Sequence, residues 1–324
     1  MVIIGIAAYN EENNLCETLP YLEDQLMKMK IIKDSKILVC LNGCTDQTER
    51  IVKRMQREYN NIAILHSKKG KLKAHKKILD NLPNGEIIFF SDADVFVPRK
   101  TIQNILNEFK NNRNAKIISA YPYALKLGKS NLYVKLVYNV LNIKRIYPKI
   151  EVAEKDVSKF HGNVEDKFLK KSRIYFHGRF FGIKTKEVYQ FPKKGSKIRG
   201  DDTFLTRCTL LKYGGGSIKV LFKSPVYCSP VTSVKEYLKS WYRIRKDIDL
   251  IGEEYPEYKE INKNVEMTIN WDYLKKMKTS VKIYAVLFFI LRKYEKYSFF
   301  ILKRYIDLDN IWSYDKKDSI RRFK

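Results

Sequence analysis

Four short apolar runs punctuate the first ninety residues: Val2–Ala8, Lys36–Leu41, Ile62–His66 and Glu86–Ser91. Runs of this length suit strands buried on both faces of a sheet. Helical segments separate them. The clearest begins at Thr45-Asp46, with Asp46 as cap, Glu49 three residues on, and Ile51, Val52 and Met55 on one face. A second is expected from Leu72 to Asn81. Strands alternating with helices predict right-handed βαβ units in a parallel sheet.

Further along, Ile102, Ile105, Leu106 and Phe109 recur at helical spacing, and Lys116–Tyr121 and Phe176–Lys184 read as strands. Asp202–Tyr213 reads as a helix ended by Gly214-Gly215-Gly216, and Ser217–Phe222 as another strand. From Ser233 the pattern is helical to near the end. A basic, tyrosine-rich stretch up to Tyr175 carries no assignable element.

With 44% hydrophobic and 13% aromatic residues the 324-residue chain can fill a core, which excludes wholesale disorder. Five cysteines, an odd number without framework spacing, read as reduced thiols of an intracellular protein. No basic n-region precedes Val2–Ala8, so no secretory signal is expected. No stretch reaches the roughly 18–20 apolar residues of a membrane span; Ile283–Leu291 comes nearest. The expected location is the cytoplasm, or the periphery of the inner face of the cell membrane.

The formal charge of +27 draws the chain to polyanions: nucleic acid, anionic membrane or phosphate-rich substrates. A solvated lysine surface without a partner explains the same number. Lys275–Lys324 concentrates the charge, with 14 basic against 5 acidic residues around Ile283–Leu291 and Phe299–Leu302. That pattern fits either a helix lying on an anionic leaflet or a helical cap packed on the body.

Ligands of open parallel sheets bind beyond the carboxyl ends of the strands. There this sequence places Tyr9-Asn10-Glu11, Asn42-Gly43, Lys68-Lys69-Gly70-Lys71 and Asp92-Ala93-Asp94. Asp92 and Asp94 can hold Mg²⁺ or Mn²⁺, which favour a few carboxylates plus substrate phosphates; a polar turn would look the same. Of Asp201-Asp202, one can cap the following helix and the other can act as a general base. His66, His75, His161 and His177 form no spaced metal motif, and His75, on a lysine-rich helix, is expected at the surface. Cys40 reads as a buried strand residue.

In this order the motifs resemble the family-two glycosyltransferases of GT-A fold. IIGIAAYNEENNL is similar to that family's first strand and nucleotide loop, ILVCLNGCTDQT to its second strand and turn, and KKGKLKA to the loop before its third helix. FFSDADV resembles the metal-binding strand end, HGRFFGIKTKEVY the acceptor-side strand and GDDTFLT the acidic motif carrying the base. SIKVLFKSPVYCSPVTSVKEYLKSWYRIRKD resembles the strand, loop and arginine-bearing helix that close the site. The likeness spans residues 2 to 247.

The resemblance implies a Rossmann-like, mostly parallel α/β sheet flanked by helices. It implies a catalytic domain over 1–235, split into a nucleotide-sugar half (1–95) and an acceptor half (96–235), with a basic helical extension over 236–324. It implies donor contacts from Ala7, Tyr9, Glu11, Asn42, Lys71, Asp92, Arg243 and Arg245, Mn²⁺ or Mg²⁺ at Asp94 and Asp92, and Asp202 as catalytic base beside Asp201. The implied reaction is inverting transfer from a UDP- or GDP-linked sugar to a hydroxyl or phosphate of an envelope glycan or lipid-linked acceptor. Asn42 stands where the family usually has an acid. Only Arg245 survives of its Gln-x-x-Arg-Trp pattern, so a processive synthase is not expected. Cys228 stands near a common histidine position, so no third metal ligand is expected there. Acceptor specificity is expected in Leu125–Arg173. A nucleotidyltransferase on a related sheet and a polyanion- or nucleic-acid-binding protein are the competing classes; no recognisable nucleic-acid module is present.

Overall fold

The computed structural model describes residues 1–82, 87–153, 176–258 and 267–302. His161, residues 154–175 of the tyrosine-rich stretch and the tail from 303 onward lie outside them. An eight-stranded sheet runs in the order β3-β2-β1-β4-β8-β6-β9-β5. Its strands are β1 (Val2–Ala8), β2 (Ser35–Leu41), β3 (Ile62–His66), β4 (Ile88–Asp92), β5 (Val95–Phe96), β6 (Ile117–Ala124), β8 (Phe180–Ile183) and β9 (Ile218–Cys228). β1 pairs in parallel with β2 and β4, and β2 with β3; β8 runs antiparallel between β4 and β6. The sheet is the expected mostly parallel α/β one.

Alternation along the strands builds a core on each face. Ile4, Ile6 and Phe89 point to one side, under α1 (Glu12–Lys28), α2 (Thr48–Glu58) and α4 (Arg99–Asn111). Ile3, Ile88 and Phe90 point to the other, under α3 (Lys71–Asp80) and α7 (Asp201–Tyr213). α2 begins two residues after Asp46, whose Oδ1 accepts the Thr48 N–H at 3.0 Å while Oδ2 accepts that of Glu12 at 3.2 Å. One side chain thus ties the starts of two helices together.

The chain after Ser233 is not purely helical. α8 (Val234–Glu254) is followed by a short strand, β10 (Met267–Ile269), antiparallel to β7 (Glu151–Ala153), and then by α9 (Trp271–Lys275) and α10 (Thr279–Leu302). Three residues of local pattern are too few to announce a strand. These elements share a third core with α5 (Leu132–Leu141) and α6 (Ile143–Ile146), built on Leu141, Ile143, Tyr237, Leu274 and Phe288. The helical part therefore packs on the segment between β6 and β7.

Candidate active site

β4 delivers the first carboxylates, and β8 is locked beside it. Phe89 stacks on Phe180 and Phe90 on Phe181, each with ring centroids 5.4 Å apart. Such pairs contribute about 0.5–1.5 kcal/mol each beyond their buried area. The Asp92 N–H donates to the Arg179 carbonyl at 2.9 Å. His177-Gly178-Arg179 is thereby fixed against the end of β4.

Around this point the polar groups converge. Lys71 Nζ lies 2.8 Å from Asp92 Oδ1, 3.2 Å from Asp201 Oδ2 and 3.4 Å from the Gly178 carbonyl. The Gly178 N–H donates to Asp202 Oδ2 at 3.0 Å, and the Thr203 N–H to Asp202 Oδ1 at 2.7 Å. A single glycine residue, through its carbonyl and its N–H, joins the lysine to Asp202. A Cβ on Gly178 would meet Asp201, Asp202 and Lys71 at 3.3 Å, so a larger residue would push these groups apart by a few tenths of an ångström.

Arg179 donates from Nη1 to both oxygens of Asp94 at 2.9 Å, and its Nε lies 3.7 Å from Asp92 Oδ2. Burial opposes both cations, but their carboxylate neighbours outweigh it and hold Lys71 and Arg179 protonated well above their ordinary ranges. Asp201 is the strained member. Burial, and next the opposing effects of Lys71 and of the Asp202 and Asp92 charges, leave its carboxyl pushed up to about 6.

Behind Asp201 lies His75, which is buried, not at the surface as its lysine-rich helix suggested. It sits on the sheet-facing side of α3, with Nδ1 2.6 Å from the Tyr189 hydroxyl and 3.7 Å from Asp201 Oδ2. Burial, then the Lys71 charge, lowers its pKa far below the usual value, so the ring is neutral.

The loop before α7 is held from α8. Asp247 accepts the N–H of Arg199 at 2.9 Å and that of Gly200 through its other oxygen. A Cβ on Gly200 would collide with that carboxylate. Burial pushes Asp247 up to about 6, against the two backbone bonds that favour its charge.

These groups open into a cavity of about 430 Å³. Lys71, Asp92, Arg179, Asp201, Asp202 and Arg243 line it, together with the aromatic side chains of Tyr121, Phe222, Tyr237, Trp241 and Phe288. Lys144 and Glu151, an ion pair from the segment where acceptor specificity was expected, lie on its wall.

Of the expected site residues, Lys71, Asp92, Asp201, Asp202 and Arg243 share this cavity, and Asp94 joins it through Arg179. Ala7 is the register partner of Asp92 on β1. Tyr9, Glu11 and Asn42 stand at the adjoining loops. The Tyr9 hydroxyl accepts from Lys69 at 2.8 Å, and Asn42 links the Ala8 carbonyl to the Gly70 N–H. Glu11 is buried and accepts from Asn14 at 2.6 Å. Arg245 does not line the cavity; its guanidinium pairs with the fully buried Glu295 of α10.

Arg179, His75 and Asp247 were not singled out from the sequence. Arg179 follows the glycine of HGRFFGI, and Asp247 lies four residues after Arg243 on the same helical face, the one signal available for it.

A divalent ion fits the chemistry of the cluster. Asp92 and Asp94 are hard oxygen donors, and with Asp201 and Asp202 they outnumber Lys71 and Arg179 by two charges. Among the described residues no group of three or more His, Cys, Asp or Glu side chains is placed to hold a metal ion. The Cys228 thiol is buried and directed at the Tyr123 carbonyl.

A Rossmann-like sheet with acids and bases gathered past its strand ends is the arrangement in which open α/β sheets bind ligands. Residues 3–154 match the family described as Glycosyl transferase family 2. Among solved structures, S. aureus TarS is 16% identical with a TM-score of 0.49, covering 78% of this chain and 66% of that one. The Pyrobaculum calidifontis mannosyltransferase PcManGT, in complex with GDP-Man and Mn²⁺, is 16% identical at 0.48, covering 78% and 63%. Glucosyl-3-phosphoglycerate synthase from Mycobacterium tuberculosis, with Mn²⁺, UDP-glucose and phosphoglyceric acid, is 13% identical at 0.49, covering 78% and 79%. These likenesses assign no residue, donor or acceptor here. Among curated proteins, Protein TIC 214 of Solanum bulbocastanum is 30% identical over 142 residues, 40% of this chain; the match spans 7% of that protein's length.

Proposed function

We propose that the chain catalyses inverting transfer of a sugar from a UDP- or GDP-linked donor to a hydroxyl or phosphate of an envelope glycan or lipid-linked acceptor. The observation that carries this reading is the joint placement of Asp92 and Asp202 about Lys71 and Gly178 in one cavity. A hydroxyl is too weak an acid to attack the anomeric carbon unaided. Asp202, held by two backbone N–H groups, takes its proton as the new bond forms, a contribution on the order of 10²–10⁴-fold. The nucleoside diphosphate departs with its charge facing Lys71, Arg179 and Arg243. Asp92 and Asp94 would hold Mg²⁺ or Mn²⁺, which supplies further positive charge to that leaving group. The aromatic lining of the cavity receives the acceptor. Tyr9, Glu11, Asn42 and Ala7 flank the side where the base and ribose enter.

A panel of nucleotide sugars, scored for donor hydrolysis and transfer with Mg²⁺ or Mn²⁺, tests the reading. One donor should respond. Asp202→Asn should then lose transfer by at least about 10²-fold with nucleotide affinity retained. Near-normal transfer by that variant removes Asp202 as base.

A further inference from the structure

α10 has two unlike faces. Val281, Ala285, Phe288 and Phe299 turn inward, and Phe288 reaches the cavity wall. Ile283, Val286, Ile290, Tyr294, Tyr297 and Ile301 are exposed, at intervals of three and four residues. That spacing puts them on one stripe along the helix. Ile290 is 60% exposed and Tyr297 68%. A helix that merely caps a domain hides its largest apolar side chains; here the aliphatic and tyrosine row faces outward for several turns. α5 packs against α10 and adds Leu132, 84% exposed, and Tyr133, 72% exposed.

The charge around the stripe selects the occupant. α10 carries Lys282, Arg292, Lys293 and Lys296, and its one acid, Glu295, is buried against Arg245. Residues 121–150, which include α5, contain six basic residues and no acid. A protein partner burying such a stripe would need acids to meet these bases, whereas an anionic bilayer supplies hydrocarbon and negative head groups together. Tyrosines suit the head-group level, with the ring in and the hydroxyl out. Among the described residues no helix is long and apolar enough to cross a membrane.

We infer that the outer face of α10, joined by the start of α5, seats the protein on an anionic phospholipid surface. The stripe lies in the interfacial plane and Lys282, Lys293 and Lys296 contact head groups. Because Phe288 on the opposite face of the same helix lines the cavity, this seating sets the aromatic lining of the site near the lipid. That last step rests on the transferase reading; the docking itself does not.

Sedimentation of the full-length protein with vesicles tests it, using phosphatidylcholine alone or with about 30% phosphatidylserine. The protein should pellet with the anionic vesicles at low salt, stay in solution with the neutral ones, and be released at about 1 M NaCl, where screening acts within about 3 Å. Lys293→Glu should weaken binding by at least about fivefold. Ile290→Asp with Tyr297→Asp should abolish it with circular dichroism, thermal midpoint and donor hydrolysis unchanged, since both side chains are exposed. The inference is overturned if the wild type stays in solution with anionic vesicles or if the double aspartate variant pellets as the wild type does. It is also overturned if gel filtration shows a dimer that the double variant dissociates while vesicles retain neither form. Donor hydrolysis in the absence of vesicles reports on the transferase reading separately.

Discussion

Replacing Lys71 by methionine removes the cation shared by Asp92 and Asp201, and the cost depends on pH in a way the structure specifies. Breaking a buried ion pair can cost 3–5 kcal/mol when a charge is stranded. Asp201 limits its own part by taking a proton. Its folded-state pKa already stands at about 6, above the ordinary 3.8, so at pH 7 the wild type carries roughly 3 kcal/mol of unfavourable linkage from this group. Full protonation at pH 7 would cost about 4 kcal/mol relative to the unfolded chain. Only the difference, about 1 kcal/mol, can be added by losing Lys71. The lost contact to Asp92, which is partly exposed, adds about 1 kcal/mol at most. The variant should therefore fold, with a loss of about 2 kcal/mol at pH 7. At pH 5 Asp201 is protonated in both proteins, its share vanishes, and the loss should fall to about 1 kcal/mol or less. Urea denaturation at the two pH values, repeated on an Asp201→Asn background where the pH dependence should disappear, measures this. An equal loss at pH 5 and pH 7 would refute the reasoning.

Arg179→Ala frees both oxygens of Asp94 and should raise the affinity for Mn²⁺ alone by about tenfold or more, read by calorimetry; unchanged affinity would mean the guanidinium and the ion do not compete for that carboxylate. Arg243→Ala should weaken binding of the nucleoside diphosphate. Arg245→Ala should leave binding within about twofold yet cost about 3 kcal/mol or more of stability, because it strands buried Glu295; a donor-binding defect in a stable Arg245 variant would reverse the two roles. Asp247, with its folded-state pKa raised to about 6 from 3.8, binds its proton more tightly when folded, so its contribution makes stability rise as pH falls from about 7 to about 4. Asp247→Asn should remove about one proton's worth of that slope in denaturation midpoints measured across the window.

What the sequence revealed and what it hid follow from the range of the interactions. Val2–Ala8, Ile62–His66 and the helix beginning after Asp46 are local patterns, and each lies within a few residues of the expected place. The strand expected at Glu86–Ser91 is Ile88–Asp92, which puts the first carboxylate of the pair on the strand itself. β5 and β10, two and three residues long, exist through pairing with β9 and β7, partners more than a hundred residues away. The site divides in the same way. Asp92, Asp94, Asp201 and Asp202 are adjacent or nearly so in sequence, and a pair of acids beside a strand end or helix start is visible. Arg179 and His75 gain their meaning only when β8 is set beside β4 and α3 beneath α7. A histidine between lysines looks solvated in sequence, yet the helix turns those lysines outward and the imidazole in.

The two arginines of α8 show where resemblance and geometry separate. Residues two apart on a helix differ by about 200° in direction, so Arg243 and Arg245 cannot both face one cavity, whereas residues four apart lie on one face. Asp247 reaches inward to the Arg199 and Gly200 N–H groups, and Arg243, one turn before it, faces the same way and lines the cavity. Arg245 is thereby turned to α10, where Glu295 has no water to solvate it and needs a guanidinium. Matching the motif selects Arg245 for the donor, but the helical period gives the cavity to Arg243 and leaves Arg245 to fasten α10 against α8. That fastening fixes which face of α10 turns inward, and so which face is left to meet the lipid.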